Sequence, residues 1–181
     1  PRGATDEHDV KIARELQSDV KERAENLMIV DLMRNDIGKV SKVGSVEVPK
    51  LFEIESYATV HQLVSTVTGE LAEGESAWSA ILAAFPGGSM TGAPKIRAME
   101  IIEELELGPR GTYSGCLGYL GAEGSAEFAM TIRSIIFQDG RATIGVGGGI
   151  TIDSDPVAEL EETKLKAKAL LAALNAADPW A

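Results

Sequence analysis

Glu22 and Glu25 stand three residues apart in a run with helical periodicity, and Glu159 and Glu162 repeat that spacing near the other end of the chain. On a helix, residues i and i+3 project from one face. Carboxylate oxygens are the ligands Mg²⁺ prefers, usually beside several retained waters. Two such pairs facing one another would supply a binding set for that ion, partly through water. Solvated helix faces are also the usual place for glutamate, and the spacing by itself is compatible with either reading.

Two glycine loops form a second constellation. Gly87-Gly88 lies in the segment Phe85 to Lys95, dense in Gly and Pro, and Gly147-Gly148-Gly149 follows a β-rich stretch. Glycines let backbone N–H groups approach a ligand closely, and N–H groups at a helix start bind anions. The first loop leads into a helix carrying Lys95 and Arg97, where a carboxylate or phosphate would fit. Neither loop has the spacing of a nucleotide-binding fingerprint. Tight turns between packed elements would explain both equally well. A third group consists of polar residues inside apolar runs: His61 between Val60 and Leu63, and Arg133 between Ile132 and Ile135. A buried arginine needs an anionic partner, either a substrate carboxylate or a structural acid. Tyr113 and Tyr119 on the preceding strand offer hydroxyls. Packing at the core or its rim is the alternative for all of these.

The elements that must position these groups alternate between helical and extended patterns. The spacing of Ile12, Leu16, Val20, Leu27, Val30 and Met33 predicts one long helix from Asp6 to Asn35, ended by Gly38. Its stretch Leu27 to Met33 is apolar nearly all round, which predicts burial. Strands are expected at Ser45 to Val48, ending at Pro49, then at Leu51 to Tyr57 and Thr59 to Gly69. Ser76 is placed to cap a helix from Ala77 to Phe85, and a further helix runs from Lys95 to Leu107. Strands follow at Tyr113 to Leu120, Glu127 to Gln138 and Arg141 to Val146, with Asp139-Gly140 as a hairpin turn and Ile150 to Ile152 as an extension. A terminal helix starts at Asp155-Pro156 and runs to about Asn175. This is an α+β pattern in one domain spanning residues 1–181, antiparallel strands between long helices.

Composition narrows the partners. The chain has 181 residues and a net charge of −11, which argues against a nucleic-acid partner, since that requires a basic face. No apolar run reaches the roughly 18 to 20 residues of a membrane helix, and no secretory signal is visible, so a cytoplasmic protein is expected. The lone Cys116, in an apolar glycine-flanked run, is expected to be a buried thiol. Pro1-Arg2-Gly3 reads as the middle of a longer protein.

Taken together, these segments resemble the chorismate-binding enzymes of the anthranilate synthase and aminodeoxychorismate synthase type. The matching stretches are Arg23 to Asp36, Val60 to Ser65, Phe85 to Glu100, Arg110 to Tyr113, Gly118-Tyr119, Ile132-Arg133, Gly147 to Ile150, and Asp153 through Thr163, in family order over nearly the whole chain. The resemblance implies antiparallel sheets packed between helices, a Mg²⁺ cofactor and chorismate as substrate. It implies that Glu25 and Glu162 bind the metal directly and that Glu22 and Glu159 act mostly through metal-bound water. It puts His61 beside the substrate ring, Lys166 near the metal, and Tyr113, Arg133 and the amides of Gly148 and Gly149 on a substrate carboxylate. Ser89, in the first glycine loop, and Tyr119 are further substrate contacts on this reading.

Within the family, the form Gly87-Gly88-Ser89-Met90-Thr91 and the pair Glu25-Asn26 resemble aminodeoxychorismate synthase, of the p-aminobenzoate branch of folate synthesis. Anthranilate synthase, of the tryptophan branch, is the alternative. Both draw ammonia from a glutamine amidotransferase subunit or domain. Isochorismate or salicylate synthesis, with water as nucleophile, fits the loop less well, and a non-catalytic ligand-binding or partner-binding domain is the rival of another class. The family carries Pro-Ile-x-Gly-Thr just before a segment like Pro1-Arg2-Gly3, and x separates the two branches. The chain is therefore expected to be the C-terminal portion of the enzyme, inactive or nearly so alone, with open sheet edges that invite mispairing or a homodimer.

Overall fold

The computed structural model describes residues 1–152 and 154–180. Asp153, the first residue of the last matching stretch, lies outside them. The order of elements is α1 (Asp6–Ser18), α2 (Val20–Gly38), β1 (Glu47–Ser56), β2 (His61–Thr68), α3 (Ala77–Ala84), the single turn α4 (Gly88–Thr91), α5 (Lys95–Leu105), β3 (Cys116–Leu120), β4 (Ala126–Met130), β5 (Ile135–Gln138), β6 (Arg141–Ile144) and α6 (Pro156–Ala173). The α+β expectation holds: the described strands pair as three antiparallel hairpins, β1–β2, β3–β4 and β5–β6, set among helices.

The expected single first helix is two. Asp19 adopts an extended conformation and its carboxylate accepts the Glu22 N–H at 2.9 Å, so it caps α2 instead of continuing α1. A short acid that bonds its own backbone competes with the helix at such a point. The break lies three residues before Glu22 and fixes the start of the helix that carries Glu22 and Glu25. Farther along α2, the apolar run is only partly covered: Val30 is buried, but Leu27 is exposed.

Helices α1 and α2 pack on the β1–β2 hairpin. Pro49 does not end the first strand; β1 runs through it with two register shifts, and Phe52 takes a positive φ of 57°. The bulged segment is held by Ser65 Oγ, which accepts the Phe52 N–H at 3.0 Å, and by the Arg23 guanidinium 4.5 Å from the Phe52 ring centre. The glycine-rich loop settles on α2 through Gly88, which is buried. A side chain there would meet Leu32 Cδ1 at 2.8 Å, so close approach requires glycine.

The expected strand Glu127 to Gln138 is broken. Residues 131–134 leave the ladder, Arg133 has a φ of +52°, and β4 and β5 belong to different hairpins. Arg133 is consequently exposed, not buried in a sheet. Residues 150–152 form no strand, and Cys116 is exposed at the start of β3, contrary to the buried thiol expected from its neighbours.

The described core is small: Val30, Val40 and Ala167 are its buried apolar residues, while Leu107, Ile152, Ile96 and Leu117 stand in solvent. The accessible surface is 12595 Å², against about 8,400 Å² for a compact monomer of this size. Each hairpin also presents open edges. The 181-residue chain by itself is therefore expected to unfold over a broad, concentration-dependent range and to associate. Light scattering after size-exclusion chromatography checks this; a monomer with a sharp, concentration-independent transition would contradict it.

Candidate active site

Side chains from α2 and α6 meet at the second glycine loop. Asp155 caps α6 by accepting the Ala158 N–H at 2.8 Å, with Pro156 in the first turn, and this sets the phase that turns Glu159, Glu162 and Lys166 toward α2. Glu159 is buried at 6 % exposure and joins the two helices: Lys21 Nζ of α2 lies 2.8 Å from its Oε1, and Ser154 Oγ donates to the same oxygen at 2.6 Å. One turn on, Lys166 Nζ pairs with Glu162 Oε1 at 2.6 Å and donates to the Gly147 carbonyl at 3.1 Å.

The loop lies directly against these acids. A side chain at Gly149 would come 2.6 Å from Glu25 Oε1, and one at Gly148 would come 3.1 Å from Glu159 Oε2 and 3.8 Å from Lys166 Nζ. The amides of Gly148 and Gly149 donate to no other described residue, so two backbone donors are available where the acids and Lys166 converge. Tyr113 packs its ring on Gly145 and brings Oη to 3.3 Å from where a Gly147 side chain would begin. Close approach of the Tyr113 ring requires glycine at 145, while at 148 and 149 the neighbours are the movable tips of Glu159 and Glu25.

Charges in the cluster are unevenly matched. Lys21 and then Ser154 hold Glu159 below the usual carboxylate range. Glu25 goes the other way: burial raises its pKa first, then the like charge of Glu22; Lys166 lowers it by more than Glu162 raises it, and Lys21 lowers it a little further, but burial and Glu22 prevail. Glu25 makes no hydrogen bond or ion pair with a described residue. A half-buried carboxylate without a partner, facing other carboxylates, is what a hard cation would satisfy. Oxygen-only donors on two helices fit Mg²⁺ in kind. Among the described residues the acids do not close into a three-ligand cluster; Lys21 and Lys166 stand between them.

The sign of the Glu159 effect can be worked out. Its depressed pKa contributes stability that is present above the unfolded value and is lost as pH falls through the folded one. Glu159→Gln is expected to lower stability near neutral pH by about 1 kcal/mol and to flatten the acid limb of the stability profile. A variant as stable as the parent at every pH would contradict the role given to Lys21 and Ser154.

Other residues singled out in the sequence lie elsewhere. His61 is 3 % exposed at its side chain and has both ring nitrogens occupied, Nδ1 with Ser56 Oγ at 2.8 Å and Nε2 with Asp9 Oδ1 at 2.9 Å. No described contact joins it to the acid cluster. Arg133 makes no hydrogen bond or ion pair with a described residue, and Tyr119 is exposed on β3 opposite Glu127. Ser89 is exposed on α4, its Oγ 3.6 Å from Met130 Sδ. Lys95 and Arg97 are not left for an anion: Lys95 Nζ meets the buried Asp36 at 2.5 Å, and Arg97 pairs with Glu100 at 2.7 Å. The pairing of Lys21 with Glu159 and of Asp36 with Lys95 goes beyond what the sequence shows. Lys21 has one signal, its place on the Glu25 face of α2, four residues ahead of that acid; Asp36 has none beyond its burial.

Set against known proteins, residues 1–172 match the sequence profile of the chorismate binding enzyme family. The chain is 54 % identical over 179 residues to the aminodeoxychorismate synthase of Streptomyces griseus, covering 99 % of this chain and 25 % of that protein. It is 48 % identical over 178 residues to anthranilate synthase component 1 of Streptomyces coelicolor, covering 98 % and 35 %. The crystal structure of anthranilate synthase component I from Streptococcus pneumoniae superposes with a TM-score of 0.84 at 46 % identity, over 91 % of this chain and 38 % of that one. The chain thus spans about a quarter to a third of the length of the curated relatives it matches.

Proposed function

The chain belongs to the chorismate-binding enzyme family, and on that premise we propose that it is the C-terminal portion of a Mg²⁺-dependent synthase that replaces the C4 hydroxyl of chorismate with an amino group. The product on this reading is 4-amino-4-deoxychorismate, in the p-aminobenzoate branch, with ammonia delivered by a glutamine amidotransferase subunit or domain. The observation that carries the reading is Glu25, which pairs with no described residue and faces Gly149, with the α6 acids alongside. Identity to an aminodeoxychorismate synthase at 54 % and the Gly87-Gly88-Ser89 loop favour this branch over the anthranilate synthase alternative.

In this scheme Glu25 and Glu162 would hold the metal directly, and Glu22 and Glu159 would act on it mostly through water. A bound Mg²⁺ supplies Lewis-acid polarisation and a template for one substrate carboxylate. The amides of Gly148 and Gly149, with Tyr113 Oη and Arg133, receive the other carboxylate, as charge-assisted donors do. Lys166 and Lys21 keep the acid pairs partly neutralised before substrate arrives. His61 assists loss of the ring hydroxyl as a proton-transfer group, through Nδ1 as its basic nitrogen, and Ser89 and Tyr119 complete the substrate contacts.

The glycine loop offers a separate check. A Gly149→Ala side chain displaces only the tip of Glu25, a flexible group, so the fold should persist while the carboxylate shifts. Turnover by the full-length enzyme is expected to fall roughly 10-fold, the rate equivalent of about 1.4 kcal/mol, with the thermal midpoint unchanged. Loss of folding together with activity would contradict this account.

Product identity tests the proposal. Full-length enzyme given chorismate, Mg²⁺ and ammonium, followed by mass spectrometry, is expected to yield aminodeoxychorismate, converted to p-aminobenzoate by added lyase. Anthranilate with pyruvate would move the protein to the tryptophan branch. Binding of chorismate without any product would favour a non-catalytic role.

A further inference from the structure

His61 is fixed by a chain of contacts whose charge decides which nitrogen carries its proton. Asp9 Oδ1 lies 2.9 Å from Nε2, and the same oxygen accepts Arg2 Nε at 2.8 Å and the Gly3 N–H at 2.7 Å, while Oδ2 accepts Arg2 Nη2 at 2.6 Å. Arg2, then the Gly3 amide, hold Asp9 well below the usual carboxylate range. An ionised carboxylate has no proton to give, so the Asp9 contact requires Nε2 to be the N–H donor. In the neutral ring Nδ1 is then the acceptor, and Ser56 Oγ, 2.8 Å away, donates to it.

We infer that Asp9 is a positioning residue for this enzyme: anchored by Arg2 and Gly3, it holds His61 in the Nε2–H tautomer and leaves Nδ1, on the Ser56 side, as the ring's only basic nitrogen. The inference rests on the reading that His61 serves the reaction. Three elements converge on it: Asp9 from α1, Ser56 from the end of β1 and His61 from the start of β2, directly paired across the hairpin. Arg2 also ties this arrangement to the β1–β2 turn, donating to the Tyr57 carbonyl at 2.8 Å. Gly3 has no room for a side chain, which would lie 2.6 Å from the Asp9 Cα and 2.7 Å from the His8 carbonyl carbon; both are backbone atoms that cannot swing away. Glycine at position 3 is therefore part of the Asp9 anchor.

Two readouts on the full-length enzyme test this. Selective ¹⁵N labelling of histidine reads the tautomer directly, with the His61 signals assigned by the loss in His61→Ala. The unmodified enzyme is expected to show Nε2 protonated and Nδ1 bare at a pH where the ring is neutral, and Asp9→Asn, which can present an N–H₂ to Nε2, is expected to shift that balance. In turnover, Asp9→Asn is expected to lower kcat about 10- to 100-fold, the range typical for loss of an outer group that orients a functional side chain, with KM little changed and no further loss when combined with His61→Ala. Gly3→Ala is expected to lower kcat in the same direction. A wild-type ring protonated on Nδ1, or an Asp9→Asn enzyme with unchanged kcat and tautomer, would overturn the inference. A fully active His61→Ala enzyme would instead overturn the role of His61 in the reaction, and the tautomer measurement would still decide whether Asp9 sets the ring.

Discussion

Glu25→Gln in the full-length enzyme is expected to lower turnover of chorismate by more than about 100-fold, beyond the loss typical of residues that only orient a metal ligand. The same substitution is expected to leave the cation-free protein as stable as the parent, or more so. The reasoning for the second half is electrostatic. Burial, Glu22 and Glu162 all favour the protonated form of Glu25. A carboxyl with a raised folded pKa contributes stability below its unfolded value, and loses that contribution as pH rises through the folded one. Near neutral pH without a cation, the Glu25 charge is therefore a burden on the fold, and glutamine removes it. Thermal unfolding in the presence of a chelator measures this against the parent across pH. A chelated Glu25→Gln protein that is markedly less stable at neutral pH would show Glu25 to be a structural group, and the site would need another centre.

The second large effect concerns stability. Asp36 is fully buried on α2 and accepts Lys95 Nζ at 2.5 Å, Lys39 Nζ at 2.9 Å and the Asn35 amide at 3.4 Å. Burial alone would raise its pKa; the hydrogen bonds from Lys95 and Lys39 outweigh that and hold it low. Its contribution is therefore present above the unfolded carboxylate value and lost as pH falls through the lower folded one. Asp36→Ala leaves the mostly buried Lys95 ammonium with the Ala84 carbonyl as its remaining described partner, at 3.2 Å. Removing one member of a buried pair costs about 3 to 5 kcal/mol, and the urea midpoint of the full-length protein is expected to fall accordingly. The double variant Asp36→Leu with Lys95→Met is expected to recover much of the loss, since no charge is then stranded. If the loss in the double variant equals the sum of the two single-variant losses, the pair is not coupled as described.

This pair also shows where sequence reading stopped. Lys95 follows a glycine-rich loop at the start of α5, which suggested an anion site; its actual partner lies 59 residues away in sequence, on α2. Nothing local announces that contact. The same is true of the Asp9, Ser56 and His61 arrangement, which joins three elements.

Local features were more legible. The i, i+3 glutamates, the Asp155-Pro156 helix start and the Ser76 cap all act within one turn, and the structure has them where the spacing put them. Two local readings failed because backbone conformation overrode pattern. Asp19 sits in a helix-like periodicity but uses its side chain as a cap. Thr131 to Ser134 reads as strand, yet Arg133 turns left-handed and splits two hairpins. The exposure of Cys116 and Leu117 was not readable either, because burial depends on what a hairpin is packed against, not on its composition.

The central claim is that Glu25, the α6 acids and the second glycine loop bind chorismate through a divalent cation. Calorimetric titration of chorismate into the full-length protein, with Mg²⁺ and then with chelator, tests it most directly. The expected result is binding with Mg²⁺, none detectable with chelator, and none in Glu25→Gln under either condition. Chorismate binding of equal strength with and without the cation, or undiminished in Glu25→Gln, would contradict it.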